Sequence, residues 1–224
     1  WQSWPYRKCE AKVIREGPKE AKVRVERDYF DLILRTTFTM KYGSNVVHMR
    51  AELLNPSSRQ YRIKPGFSLC SEVGWAFIPG IGTENVTVKR TEVLSPWIAV
   101  YNEGWAVGLH PLYKFDGVEA SFSWAVLYRG LRLPPGKRAV FDSLIQVEMT
   151  DDLSRFLRLG EKSGRGWGRI IGKVAIEGGN AKRPVVIVEK GRAPLCWAIG
   201  RLGSYEVMLP EGRYSIYAIS DGYG

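Results

Sequence analysis

Near the end of this 224-residue chain, apolar and polar residues take turns. They alternate in Lys173–Ile176, Tyr205–Leu209 and Tyr214–Ala218, and apolar residues run together in Val185–Val188. Successive side chains of a strand point to opposite faces, so a period of two lays one apolar face on a core, whereas a helix needs 3.6. Gly, Pro and Asn occupy the breaks, as in Pro210-Glu211-Gly212. Those residues reverse a chain at little steric cost. Residues 168–224 therefore read as a small antiparallel β-sandwich, a kind of module that positions or presents things more often than it performs chemistry.

The same period governs the first 150 residues. Ala21, Val23 and Val25 alternate with Lys22, Arg24 and Glu26, which describes a strand buried on one face. Phe30–Met40 and Val46–Leu54 flank Lys41-Tyr42-Gly43-Ser44-Asn45 and predict a hairpin. Asn55-Pro56-Ser57-Ser58 breaks the chain before Tyr61–Cys70. Further strands are expected at Asn85–Leu94, Trp97–Tyr101, Ala106–His110, Glu119–Tyr128 and Ala139–Met149. The fold class is all-β: a large antiparallel β-sandwich in residues 1–150, then a small one in 168–224. Between them, Asp151 and Asp152 can cap a short helix whose Leu153, Phe156 and Leu157 share a face, stopped by Gly160. Residues 161–167 are polar and Gly-rich, and the expected division is 1–150, a helix and linker at 151–167, and 168–224.

Composition narrows the function classes. No apolar run approaches the ~18 residues of a membrane-spanning helix. Net charge is +10, and residues 155–201 carry eleven Lys or Arg against three Glu. That surplus would suit an anionic polymer or an acidic partner. No RNP, KH or zinc-finger signature accompanies it, so nucleic acid is not the expected partner. Cys9, Cys70 and Cys196 lack metal-ligand spacing, so no metal or other cofactor is expected. A Cys9–Cys70 bridge is one reading, and Cys70 as a small buried hydrophobe is the preferred one. Many charged residues, few Cys and four Met fit a protein built for high temperature. The first residues, WQSWPYRK, and the last, SDGYG, suggest a piece of a larger protein, with an extracellular or cell-surface setting favoured over the cytoplasm.

Some of these steps resemble known families. Glu16-Gly17-Pro18 before a strand, the long hairpin, Leu53-Leu54-Asn55 closing a strand and Leu133-Pro134-Pro135-Gly136 before another resemble the galactose-mutarotase-like supersandwich. That fold serves sugar mutarotases and the β-domains of glycoside hydrolases and polysaccharide lyases. Gly172, Val174 and Leu209-Pro210-Glu211-Gly212-Arg213-Tyr214 resemble carboxypeptidase-regulatory or prealbumin-like modules. The order of the two implies a carbohydrate-associated protein, more an accessory or binding piece than an enzyme.

Sugar chemistry of that kind sets a general acid and a general base across a ring. His48 in a strand and His110 at a strand end are the two histidines, and neither sits in a matching catalytic motif. Carboxylates such as Glu72, Glu103, Asp116 and Asp142 are scattered, so no glycosidase pair can be read from spacing. Lys64, Lys89 and Lys114 compete as lyase bases with nothing to choose between them. Aromatics are the better lead, because sugar C–H faces stack on Trp and Tyr rings. Trp75, Trp97, Tyr101 and Trp105 are the candidate binding residues, with a glycan or another domain of the larger protein as partner. The competing readings are a mutarotase or lyase acting on acidic glycans, and nucleic-acid binding by the basic C-terminal part.

Overall fold

The computed structural model describes residues 9–160, 166–176 and 179–220. Its first half runs through β1 (Glu10–Arg15), β2 (Glu20–Tyr29), β3 (Leu32–Lys41), β4 (Val46–Leu54), β5 (Tyr61–Ile63), β6 (Gly66–Cys70) and β7 (Trp75–Phe77). There follow β8 (Val86–Lys89), β9 (Ile98–Asn102), β10 (Trp105–Pro111), β11 (Gly117–Ser121), β12 (Trp124–Tyr128), β13 (Leu131–Leu133) and β14 (Arg138–Glu148). Eight of them make one antiparallel sheet in the order β1-β2-β3-β4-β14-β10-β9-β7. Four make a second, β6-β12-β11-β8, and β13 pairs with β5 beside them. The protein is an all-β sandwich.

The period of two explains which faces meet. Ile98, Val100, Leu109 and Met49 turn inward from the large sheet onto Val118, Ala120, Ala125 and Leu127 of the small one. Each such side chain, fully buried, contributes roughly 1.5–3 kcal/mol. The Asn of the Leu53-Leu54-Asn55 step proves structural. Its amide donates to the carbonyls of Arg59 (2.7 Å) and Leu133 (3.0 Å), tying β4 to the β13–β14 corner.

Several strands differ from expectation. Glu119–Tyr128 is a hairpin, Ser121 lying opposite Trp124, because Phe122 and Ser123 form a turn without Gly, Pro or Asn. Tyr61–Cys70 is two strands broken at Pro65. β2 and β3 turn at Phe30-Asp31, with Phe30 at φ 55° rather than in a strand. Cys70 is exposed, not buried, since Phe67 and Leu69 take the inward positions of β6; Cys9 and Cys70 carry free thiols.

The outer face of the large sheet has two halves. Over β7, β9 and β10 it is covered. A 3-10 turn, Leu153–Phe156, runs into α1 (Leu157–Gly160), and Asp152 caps it by accepting from the Ser154 N–H at 3.1 Å. Leu153, Phe156 and Leu157 are fully buried there against Phe77, Trp97, Ala99 and Ala106. The far side of this core comes from the C-terminal strands. They are β15 (Trp167–Lys173), β16 (Ala175–Ile176), β17 (Gly179–Asn180), β18 (Val185–Lys190), β19 (Ala193–Ile199), β20 (Ser204–Pro210) and β21 (Ser215–Ile219). β15 pairs with β20, β16 with β17, and β18 lies between β19 and β21. Val188, Leu195, Cys196, Ala198, Val207 and Leu209 complete the second core.

Over β2, β3 and β4 the outer face is polar. Arg35 is paired with Glu26 across the β2–β3 ladder, and Arg50 lies 3.3 Å from Asp142 and 3.5 Å from Glu52. Pairs this exposed contribute on the order of 0–1 kcal/mol each.

Candidate functional site

The two histidines are far from equivalent. His48 projects from the polar half of the outer face, and its Nε2 lies 2.9 Å from Asp142 Oδ1. Arg50 approaches the other oxygen of the same carboxylate, so Asp142 lies between an imidazole and a guanidinium on the outer sheet face. His110 is not at an open strand edge, as the sequence suggested. It faces the second core, with its ring centroid 6.5 Å from Trp97 and 6.0 Å from Phe156. Neither of its nitrogens has a well-formed hydrogen bond, and burial pulls its pKa down to about 4, opposed only in part by the Gln146 amide. A neutral imidazole buried between two aromatic rings, without a carboxylate, is a core residue. Neither histidine lines the cleft beside Phe67 and Leu69 or the one between Ala175 and Tyr217.

The four aromatic candidates also separate. Trp97 is completely buried, 5.7 Å from Phe77 and 5.6 Å from Phe156, so it has no face to offer a sugar. The run Trp97-Ile98-Ala99-Val100 was the sequence signal for that burial. Tyr101 is half-buried with its ring edge-on to Trp197 at 4.8 Å, and burial together with the nearby Asp151 raises its pKa. Trp105 is half-buried and packs on the inter-sheet core.

Trp75 alone of the four is exposed, at 50 %, on the edge strand β7. Its partner, which the sequence reading missed, is Phe122, 55 % exposed at the β11–β12 turn. Their rings stand 5.9 Å apart at 89° to each other. The backbone holds both: Ala76 N–H donates to Phe122 C=O at 2.6 Å, so the two rings flank one hydrogen bond. Gly74 is required beside them, because an added Cβ would lie 2.7 Å from the Tyr101 carbonyl oxygen. Glu72 and Val73, both exposed, precede it in the chain. The two rings form a corner, with one ring face for stacking and the second ring as a wall.

The basic stretch is partly neutralised. Arg155 lies 3.3 Å from Glu148, Arg169 2.7 Å from Glu206, and Arg183 2.5 Å from Asp151. Among the described residues no group of His, Cys, Asp and Glu could hold a metal ion, and no helix is long and apolar enough to cross a membrane.

No protein-family model matches the chain, and no curated protein matches it. Solved structures do. A GH36 α-galactosidase from Geobacillus stearothermophilus is 13 % identical with a TM-score of 0.44, over 65 % of this chain and 28 % of its own. One from Lactobacillus brevis is 12 % identical with a TM-score of 0.44, over 65 % and 27 %. A candidate aldose 1-epimerase from Klebsiella pneumoniae, of the galactose-mutarotase-like class, is 14 % identical with a TM-score of 0.42, over 63 % and 54 %. This chain thus spans about a quarter to a half of those proteins. At these values none of them assigns a site or an activity to it.

Proposed function

We propose that this chain is a non-catalytic, carbohydrate-associated β-sandwich of a larger protein, which holds a glycan against the Trp75–Phe122 corner. The observation that carries the reading is the pair of perpendicular, half-exposed rings pinned on either side of one backbone hydrogen bond. Aromatic side chains left exposed in a rigid setting lose little entropy on binding and present flat apolar area to a ring. The resemblance of the first 150 residues to supersandwich domains, and of the last strands to a prealbumin-like module, fits an accessory role. His48 and Asp142 sit together on the polar outer face, both partly exposed to solvent, and neither lines the cleft beside Phe67 and Leu69.

Retention on a panel of immobilised neutral and acidic polysaccharides tests this. At least one should retain the protein, and Trp75→Ala or Phe122→Ala should weaken retention about tenfold or more without lowering the melting temperature. No retention on any matrix, or retention indifferent to Trp75→Ala, rejects the reading.

A further inference from the structure

Phe30 and Asp31 alone make the turn between β2 and β3, since Tyr29 pairs with Leu32. Phe30 takes φ 55°, a left-handed backbone that Gly or Asn adopts at much lower cost. Its ring is nevertheless 66 % exposed, with Tyr29, 41 % exposed, edge-on to it at 5.1 Å. Phe30 belongs to none of the hydrophobic cores, so internal packing does not explain a phenyl ring at this position. Backbone strain kept for an exposed apolar group points to a task outside the fold.

The tip is tied to its surroundings. Tyr61 Oη donates to Asp31 Oδ2 at 2.7 Å, and Leu32 is buried with Leu53 and Leu133. Two loops share this end of the sandwich, because Asn55 N–H donates to Lys137 C=O at 3.0 Å and Gly136 N–H to Asn55 C=O at 2.8 Å. The loops and the β5–β13 ribbon present Arg59, Arg62, Arg132, Lys137 and Arg138, all exposed. Among the described residues none of these cations is ion-paired. By contrast Arg35, Arg50, Arg155, Arg169 and Arg183 each have a carboxylate partner. Arg62 and Arg132 even stand directly opposite each other, a placement in which like charges repel. Residues 30–31, 55–63 and 131–138 contain one carboxylate, Asp31, already engaged by Tyr61; Asp28 on β2 is the next along the chain.

We infer that this end of the sandwich docks on an anionic lipid bilayer, with Phe30 as its apolar wedge. Headgroup anions supply the counter-charge that the cations lack within the protein, and the phenyl ring enters the boundary between headgroups and acyl chains. A rigid acidic polymer would satisfy the cations but leave a projecting ring in water, whereas a fluid interface closes round it. Each cation held near such a surface strengthens binding about fivefold. The Trp75–Phe122 corner shares no residue with this surface.

Co-sedimentation of the full chain with vesicles tests it, using phosphatidylcholine alone or mixed with phosphatidylserine. The mixed vesicles should bind at least about tenfold more tightly, and added salt should weaken that binding. Phe30→Asn keeps a residue that tolerates the left-handed turn, and Arg132→Glu sets a carboxylate opposite Arg62. Both variants should therefore hold or raise the melting temperature, yet each should weaken mixed-vesicle binding about tenfold or more. Circular dichroism checks both, and the vesicle comparison on the unaltered chain stands even where a variant fails to fold. Equal binding to the two kinds of vesicle overturns the proposal, as does mixed-vesicle binding that either folded variant leaves unchanged. Capture by immobilised heparin or polygalacturonate without vesicle binding also overturns it, by assigning the cations to an acidic polymer, and so does binding to none of these.

Discussion

Gly108 and Phe156 offer the sharpest test of how the two cores are joined. Phe156 is fully buried where the Leu153–Phe156 turn meets the outer face of β10. Gly108 lies directly under it, so a Cβ added to Gly108 collides with the phenyl ring at Cδ1 and Cε1. Gly108→Ala should therefore act as overpacking and cost about 1–3 kcal/mol. Phe156→Ala removes a buried ring and should cost about 3–5 kcal/mol, a melting-temperature drop of roughly 6–20 °C for a chain of this size. In the double variant the new methyl occupies space that the ring has vacated. The two costs should then fail to add, with a coupling of more than about 0.5 kcal/mol toward stability. Urea denaturation of all four proteins, followed by tryptophan fluorescence and far-ultraviolet circular dichroism, measures each term. Strict additivity, or a neutral Gly108→Ala, would show that the ring does not rest on the β10 backbone, and the junction described above would be wrong.

Two further outcomes follow from the same cores. His110, whose pKa is about 4 in the fold against 6.5 as its ordinary value, binds its proton more weakly folded than unfolded. Stability should thus be complete above pH 6.5, fall as the pH drops, and be lower by about 3 kcal/mol near pH 4. His110→Leu should remove that part of the acid sensitivity in melting scans between pH 7 and 4.5, and an unchanged profile refutes it. Cys9 and Cys70 are exposed whereas Cys196 is buried with its thiol pKa pushed up by desolvation. Two thiols should react promptly with a disulfide reagent in the native protein and the third only in denaturant; three prompt thiols would contradict the second core.

Strand content was legible because alternation is a local property. β3 and β4 needed only Phe30–Met40, Val46–Leu54 and the Gly-containing loop between them, and they pair in the register this implies. Where no Gly, Pro or Asn marked a turn, as at Phe122-Ser123, the hairpin was invisible. Short edge strands such as β7 were equally hidden, since three residues show no period. The candidate site suffered from a different gap. Whether an aromatic ring is exposed depends on what covers its sheet face, and that cover comes from remote sequence. Trp97 and Trp75 look alike in the chain, yet one lies beneath Phe156 and the other at an uncovered edge. Phe122 escaped notice because its role arises from its position opposite Trp75 and not from its neighbours.

The second core also has a consequence in time. Its inner wall, Phe77, Ala99 and Ala106, leaves the ribosome about a hundred residues before Val207 and Leu209, which close the opposite wall. At translation rates of roughly 5–20 residues per second that interval lasts on the order of 5–20 s. Once β14 is made, the nascent chain holds its inter-sheet core and a naked apolar flank, covered at first by nothing and then by the turn at Leu153–Phe156 alone. The strands after residue 166 are thus the lid of the first sheet, and a ribosome that stalls after residue 160 leaves that flank bare.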